Sequence, residues 1–443
     1  MKTLITLFFS CLTYAAVAHS ATAADNTLIA KGEYVARTAD CMACHTVDSS
    51  KPYAGGLAIE SPFGKIYSTN ITPYSTAGIG NYTEEDFANA VRKGKRKDGS
   101  NLYPAMPYPS YSKMNDEDIH ALYIYFRQGV KPIADKAPET DLSFPFNQRW
   151  GISMWNIFFS NDIRFNPNPG QSDEVNRGAY LVQGAGHCGS CHTPRAITMQ
   201  EKTYTDSSDA YLAGTELNDW YVPGLRAGGD GKRGIDGWSK QDIVDYLQTG
   251  RNKHASAAGE MRSVVQHSTS HMTGADLNAI AAYLKTLVAT YPQGAEKGFS
   301  EKARQQTEEQ LSQATNLTAG QRVYLDNCTA CHFVTGQGAP STFPPLVGNS
   351  LINADNPTGV ISIILNGSTL PATDKAPAQL AMPDFGWRLS DQQVADLTSF
   401  IRQGWGNQQK VVTASEVEKV RKKIGAPVVT SKPTQTDGVA SYH

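Results

Sequence analysis

Three short stretches decide how this chain is read: Cys41-Met42-Ala43-Cys44-His45, Cys188-Gly189-Ser190-Cys191-His192 and Cys328-Thr329-Ala330-Cys331-His332. Each is C-x-x-C-H. Two thiols at that spacing can form thioethers to the vinyl groups of a haem while the adjacent imidazole swings beneath the ring to ligate iron, so the pattern is the attachment sequence of a c-type haem. A zinc site would want four nitrogen or sulfur ligands in paired clusters, and a thioredoxin-like pair needs neither the histidine nor three copies. The expectation is therefore three covalently bound haem c groups, held by Cys41, Cys44, Cys188, Cys191, Cys328 and Cys331, with His45, His192 and His332 as proximal ligands.

The chain has seven cysteines, so the motifs leave only Cys11 over. That residue lies in an N-terminal segment where Lys2 precedes an apolar run from Leu4 to Val17 and then Ala21-Thr22-Ala23, a small-x-small cleavage pattern. The run is shorter than the roughly 20 residues a spanning helix needs. Residues 1–23 read as a secretory signal peptide, and its removal takes the odd cysteine with it. No later segment is long and apolar enough to cross a bilayer, so any membrane attachment is peripheral or through a partner.

Working outward, 443 residues are too many for one ordinary core. Lys plus Arg number 40 against 42 for Asp plus Glu, a net charge of −2 that offers no broad basic field for nucleic acid. The motifs stand roughly 140 residues apart, which places one haem in each of three successive modules. Their flanks repeat too. Helices beginning near Gly32, Gly178 and Gly320 lead into the motifs, and amphipathic helices at 119–126, 277–284 and 394–401 close the modules. Such pairs look like the crossing N- and C-terminal helices of small c-type cytochromes. The predicted fold is all-α, with three consecutive class I cytochrome c-like domains at 24–135, 173–291 and 315–405. Between them lie a connector, 136–172, and a polar linker helix, 292–314; a polar C-terminal tail, 406–443, follows.

The sixth iron ligand comes from comparing the three copies. In the third module Met382 is the only methionine after the motif, and no histidine follows His332 except His443, so Ala381-Met382-Pro383 sets the template. Ala105-Met106-Pro107 repeats it in the first, with Met114 and His120 as competitors. The second offers Met261 and Met272 beside His254, His267 and His271. The closing helices start at Asn115, Thr273 and Ser390, each preceded by an apolar residue (Met114, Met272, Leu389) with a second at the fourth helical position (Ile119, Leu277, Val394). That hydrophobic staple gives Met114 and Met272 a packing role. Met106, Met261 and Met382 stand 9, 12 and 8 residues before the caps, at loop distances, and are the expected distal ligands. Filling both axial positions with His and Met favours electron transfer over oxygen chemistry.

Other features have packing explanations beside functional ones. Tyr67, Asn70 and Thr72, and Trp220 and Tyr221, could donate to haem propionates or pack their loops. Phe343-Pro344-Pro345-Leu346 is expected against the ring of the third haem. Thr83 with Asp86 and Ser239 with Asp242 read as capping boxes. Gly78-Ile79-Gly80 and Gly228-Gly229 lack the spacing of a phosphate loop, and no nucleotide site is evident. Trp150 to Phe159 is too apolar for a free linker and is expected to pack between domains or on a partner.

The runs Tyr67-Ser68-Thr69-Asn70-Ile71-Thr72-Pro73, Leu102-Tyr103-Pro104-Ala105-Met106-Pro107-Tyr108 and Asn176-Arg177-Gly178-Ala179-Tyr180-Leu181, then His187-Cys188 to Thr193-Pro194-Arg195, resemble the triheme cytochrome c subunits of bacterial membrane-bound dehydrogenases. These include the gluconate 2-dehydrogenase and quinoprotein alcohol dehydrogenase types. Trp238-Ser239, Thr249-Gly250-Arg251-Asn252 and Gly259-Glu260-Met261 extend the likeness and support Met261. The resemblance implies a non-catalytic electron-transfer subunit at the periplasmic face of the inner membrane. Its partner would be a large flavoprotein or quinoprotein subunit, with or without a third small one, and its acceptor ubiquinone. A free periplasmic carrier, a cytochrome linked to a terminal oxidase and a self-contained multihaem peroxidase are the competing readings.

Overall fold

The computed structural model describes residues 26–217, 219–227, 234–288 and 300–427. The signal peptide and the end of the C-terminal tail lie outside the described residues. In chain order the first half forms α1 (26–38), α2 (Cys41–His45), β1 (Ala58–Ser61), β2 (Gly64–Tyr67), α3 (Glu84–Lys93), α4 (Tyr108–Tyr111), α5 (Asp116–Ile124), β3 (Asp141–Leu142), α6 (Trp150–Phe159), α7 (Asp173–Gln183) and α8 (Gly189–His192). The second half adds β4 (Thr215–Leu217), β5 (Trp220–Val222), α9 (Lys240–Thr249), α10 (Met261–His267), α11 (Gly274–Thr286), α12 (Glu301–Gln313), α13 (Ala319–Asn327), α14 (Thr329–His332), α15 (Thr358–Asn366), β6 (Ser368–Thr369), β7 (Ala381–Met382), α16 (Asp391–Gln403) and α17 (Ala414–Ile424).

The chain is predominantly helical, but the all-α expectation needs correcting. A small antiparallel sheet joins β1 to β2 (Ala58 opposite Tyr67) and β2 to β3 (Gly64 opposite Leu142), and hairpins pair β4 with β5 and β6 with β7. These strands are two to four residues long, too short to announce themselves by alternation. The polypeptide separates into two compact units, one holding residues up to Leu212 with Ser263–Leu287, the other Ala213–Arg262 with the chain from Val288.

Within each unit the expected helix pairs cross, and glycine makes the crossing possible. A Cβ on Gly32 would stand 2.0 Å from the carbonyl oxygen of Ala121, one on Gly178 1.9 Å from that of Ala279, and one on Gly320 2.2 Å from that of Asp396. Each glycine also meets an aromatic Cβ one turn further along the closing helix, at Tyr125, Tyr283 and Phe400. No side chain fits there, so backbone packs directly on backbone and α1, α7 and α13 seat against α5, α11 and α16. The caps follow the sequence: Asn115, Thr273 and Ser390 each accept from the backbone N–H three residues on. Met114, Met272 and Leu389 are buried with Ile119, Leu277 and Val394.

Two segments differ from their compositional reading. The linker helix is α12, and it docks rather than standing free: Leu311 is 2% exposed, and the Thr307 hydroxyl accepts from the Trp405 N–H. The described part of the polar tail is likewise folded, since α17 buries Val417 and Val420 in the same core as α13 and α16. Only a narrow apolar stripe faces inward there, which is why composition reads as a tail.

Candidate haem sites

Each C-x-x-C-H motif forms a single helical turn at the end of its leading helix, so the two thiols and the imidazole emerge from one local scaffold. All six cysteines are free of disulfides. Burial pushes the Cys41, Cys188 and Cys328 thiols up to about 12.

The proximal histidines provide the test of fit. In the first turn His45 Nδ1 lies 2.6 Å from the carbonyl oxygen of Thr69; in the third, His332 Nδ1 lies 3.0 Å from that of Pro344. A carbonyl can only accept, so Nδ1 carries the proton and the Nε2 lone pair is left for iron. Such a bond also fixes the ring plane and raises ligand basicity. Burial lowers both imidazoles below their ordinary range, which keeps Nε2 neutral. The donor set suits a haem c in each turn, as does the ring orientation in the first and third, and the three motifs carry three covalently bound haems.

The Thr69 carbonyl is held in place by Asn70. Its Oδ1 accepts from the N–H and hydroxyl of Thr72 at 2.8 and 2.7 Å, and its Nδ2 donates to the carbonyls of Ile133 and Asp135. Gly55 passes directly beneath: at φ +76° its Cβ would fall 2.4 Å from the Thr69 carbonyl carbon. Asn70 and Thr72 are thus committed to the loop, the packing alternative of the two that the sequence offered. Trp220 packs its ring against Gly259 and Gly359. In the third site the Phe343–Leu346 segment supplies the Pro344 carbonyl, a role that residue type alone could not announce.

The second turn is braced by several side chains. Arg195 donates to the Ser190 carbonyl at 2.6 Å, the Thr193 hydroxyl accepts from the Leu212 N–H, and the Ser190 hydroxyl donates to Glu201 at 3.2 Å. Glu201 Oε2 would stand 2.5 Å from a Cβ on Gly189, so the turn closes over this carboxyl only because residue 189 is glycine. Burial raises Glu201 to about 7 and lowers the neighbouring Lys113 to about 8.

The methionines differ in where they sit. Met114 and Met272 are buried beneath their helix caps at 0% and 6% exposure. Met106 lies in the turn before α4, half-buried against the core around Tyr53 and Phe87, and Met382 lies in β7 against the core around Ile361 and Val394. Met261 opens α10 and is half-buried. Three competing histidines have other partners: His120 Nδ1 pairs with Glu84 at 2.8 Å, His254 stacks on Trp238 and faces Asp242, and His271 contacts the Gln266 carbonyl.

The first two turns are tied together within one unit. The Tyr111 hydroxyl donates to the carbonyl of Ala39, two residues before Cys41, and its ring meets the imidazole of His187, which precedes Cys188. Tyr180 donates to Asp118 at 2.6 Å, Tyr34 donates to Asp276 at 2.5 Å, and Arg177 pairs with that same carboxylate, joining the two modules through buried or half-buried polar contacts.

Among known proteins, the family model for cytochrome c matches residues 29–129 and 317–405. The chain is 47% identical over 412 residues to the cytochrome c subunit of the quinone-type alcohol dehydrogenase of Gluconobacter oxydans, covering 92% of this chain and 85% of that protein. It is 43% identical over 428 residues to the gluconate 2-dehydrogenase cytochrome c subunit of Pantoea cypripedii, covering 95% of each. It is 38% identical over 414 residues to the fructose dehydrogenase cytochrome subunit of Gluconobacter japonicus, covering 89% and 82%.

Proposed function

The chain belongs to the family of dehydrogenase cytochrome c subunits, and on that premise we propose that it is the electron-transfer subunit of a periplasmic dehydrogenase complex, receiving electrons from a catalytic flavin or quinoprotein subunit and passing them to ubiquinone. The observation that carries the reading is the set of three haem-binding turns, with the Nδ1 of His45 and of His332 locked on a backbone carbonyl. Bound haem supplies one-electron redox chemistry. The protein's part is to orient the ligands, exclude water and hold the cofactors in series.

We read the chain as three haem modules, with His45 and Met106, His192 and Met261, and His332 and Met382 as axial pairs. The contact of Tyr111 with the segments before both Cys41 and Cys188 supports a series order for the first two. Relatives serve dehydrogenases of alcohol, gluconate and fructose, so the substrate class is an alcohol, sugar or sugar acid and is chosen by the catalytic subunit. Among the described residues no helix is long and apolar enough to cross a membrane, and the proposed association with the inner membrane is peripheral.

The test is purification of the intact complex from solubilised membranes, with a haem-stained gel and a substrate panel of gluconate, sugars, sorbitol and ethanol against a quinone acceptor. Co-purification of a large dehydrogenase subunit, with substrate-dependent reduction of all three haems, is expected. Recovery of this chain alone at full abundance would favour a free carrier or an oxidase-linked cytochrome instead.

A further inference from the structure

Helix α6 presents an unpartnered apolar face. Trp150, Met154, Ile157 and Phe158 recur at the i, i+4, i+7 and i+8 positions of one stripe and are 69%, 58%, 76% and 70% exposed. The opposite face is fastened by polar bonds. Asn101 donates to the Ser153 hydroxyl at 2.8 Å, Tyr108 donates to Asn156 at 2.6 Å, and the Trp155 indole donates to the Thr198 carbonyl at 3.1 Å. These bonds leave α6 no freedom to roll its stripe inward. The last of them also sets the 195–201 hairpin beside α6, with Ile197 at 99% and Met199 at 39% exposure on its tip.

Basic side chains outnumber acidic ones around this face, although Asp98 and Asp162 lie among them and Asp162 pairs with Lys93. No acidic residue occurs between Asp141 and Asp162, or from Ser190 to Gln200. The loop after α3 that Asn101 ties to α6 carries Lys95, Arg96 and Lys97 beside Asp98, and Lys202 stands exposed at the foot of the hairpin. A protruding helix with Trp and Phe on its outer stripe, a fully exposed aliphatic tip beside it and cations at its edge is the arrangement of an interfacial helix lying in a lipid headgroup layer.

We propose that the outer face of α6, with the Ile197 tip, docks on an anionic phospholipid surface. This deepens the peripheral membrane association read above by assigning it to particular side chains, and it rests on that reading only for its biological setting.

The experiment is vesicle flotation of the purified full-length three-haem chain without any partner, using phosphatidylethanolamine vesicles with and without phosphatidylglycerol. Wild type should float with the vesicles, more strongly when phosphatidylglycerol is present. Ile157→Gln combined with Phe158→Gln should lower the bound fraction about tenfold, the scale of withdrawing two partly inserted apolar side chains. Ile197→Ser, at a side chain that cannot disturb the fold, should lower it about threefold, within the worth of one exposed aliphatic group. Lys95→Gln with Arg96→Gln should remove the phosphatidylglycerol dependence alone. Wild type that stays with the unbound protein, or variants that float as wild type does, overturn the proposal. So does a variant that floats normally but loses its dehydrogenase subunit, since the face would then dock protein. A complex purified without any dehydrogenase subunit would sink the functional reading while leaving the flotation result standing.

Discussion

The ring of Tyr111 meets the imidazole of His187 edge-on, 5.4 Å between centroids, while its hydroxyl donates at 2.7 Å to the carbonyl of Ala39. One buried side chain therefore touches the backbone just before the first haem turn and the ring just before the second. Tyr111→Phe should keep the aromatic contact and lose the hydrogen bond, at a cost of about 1 kcal/mol. Tyr111→Ala should lose both and open a cavity, costing about 3 to 5 kcal/mol. Thermal unfolding measures the two. Stopped-flow reduction should show slower electron equilibration between the first two haems in Tyr111→Ala, and unchanged equilibration there would remove Tyr111 from the coupling of the sites.

The methionine assignments separate by spectroscopy. Met106→Ala, Met261→Ala and Met382→Ala are each expected to remove one of three methionine-ligated low-spin signals and to open that iron to carbon monoxide. Met114→Leu and Met272→Leu should leave all three signals in place, with stability changed by less than about 1.5 kcal/mol, because a Met-to-Leu exchange nearly conserves volume in the staple. Loss of a signal in either leucine variant would show that the buried sulfur, not the loop methionine, reaches the iron.

The glycine crossings predict a graded response to added volume. Gly178→Ala places a methyl 1.9 Å from the Ala279 carbonyl oxygen, and Gly320→Ala places one 2.2 Å from that of Asp396. Backbone cannot rotate away, so the helix pairs must separate, at a cost of at least about 1 to 3 kcal/mol each. Gly274→Ala meets nothing within 4 Å and serves as the control. Calorimetry should show lowered midpoints for the first two only.

What the sequence revealed and what it concealed follow the range of the interactions. The caps at Asn115, Thr273 and Ser390 and the staples beneath them act within five residues, so their letters can be read directly. The carbonyls that fix His45 and His332 lie 24 and 12 residues away on loops, and a carbonyl has no side-chain signature. Asn70 was visible as a polar residue near a motif, but its four bonds go to backbone and to Thr72, which only the folded loop reveals. The fold of the middle segment was hidden by its division between two compact units, a property of contacts and not of periodicity.

Glu201 should make stability pH-dependent on the acid side. Burial raises its carboxyl from an ordinary 4.5 to about 7, so the folded chain holds this proton more tightly than the unfolded one. Its contribution is complete below pH 4.5 and is lost as pH rises toward 7, about 3 kcal/mol in all at ~1.4 kcal/mol per pH unit. Glu201→Gln should flatten the profile in that window. Lys113, lowered from 10.5 to about 8, acts with the opposite sign in a separate window, so stability falls as pH drops from 10.5 to 8 and Lys113→Met should abolish that slope. Denaturant titrations across pH read both. A Glu201→Gln profile identical to wild type would mean that the carboxyl is solvated in solution.

Arg421 decides whether the chain beyond the third module is part of the fold. The side chain is 3% exposed; Nε pairs with Asp391 at 2.7 Å, and the terminal nitrogens donate to the carbonyls of Gly386 at 2.7 Å and Leu389 at 2.9 Å and to that of Pro427. Gly386, Leu389 and Asp391 sit just before and at the start of α16, on the stretch that runs from Met382 into the closing helix, so α17 clamps the segment next to the proposed distal ligand. Arg421→Met keeps much of the volume but leaves buried carbonyls without donors, at a cost of about 2 to 4 kcal/mol. Arg421→Lys should recover little of this, because an ammonium cannot span partners arranged for a planar fork. Removing residues from 408 onward should do more, since it also uncovers the core surface against Val417 and Val420. Thermal unfolding followed at the methionine-ligated band of the third haem measures all three, and that band should melt earlier while the first haem is unaffected. If truncation left it unchanged, α17 would be a passenger on the third module and not part of its core.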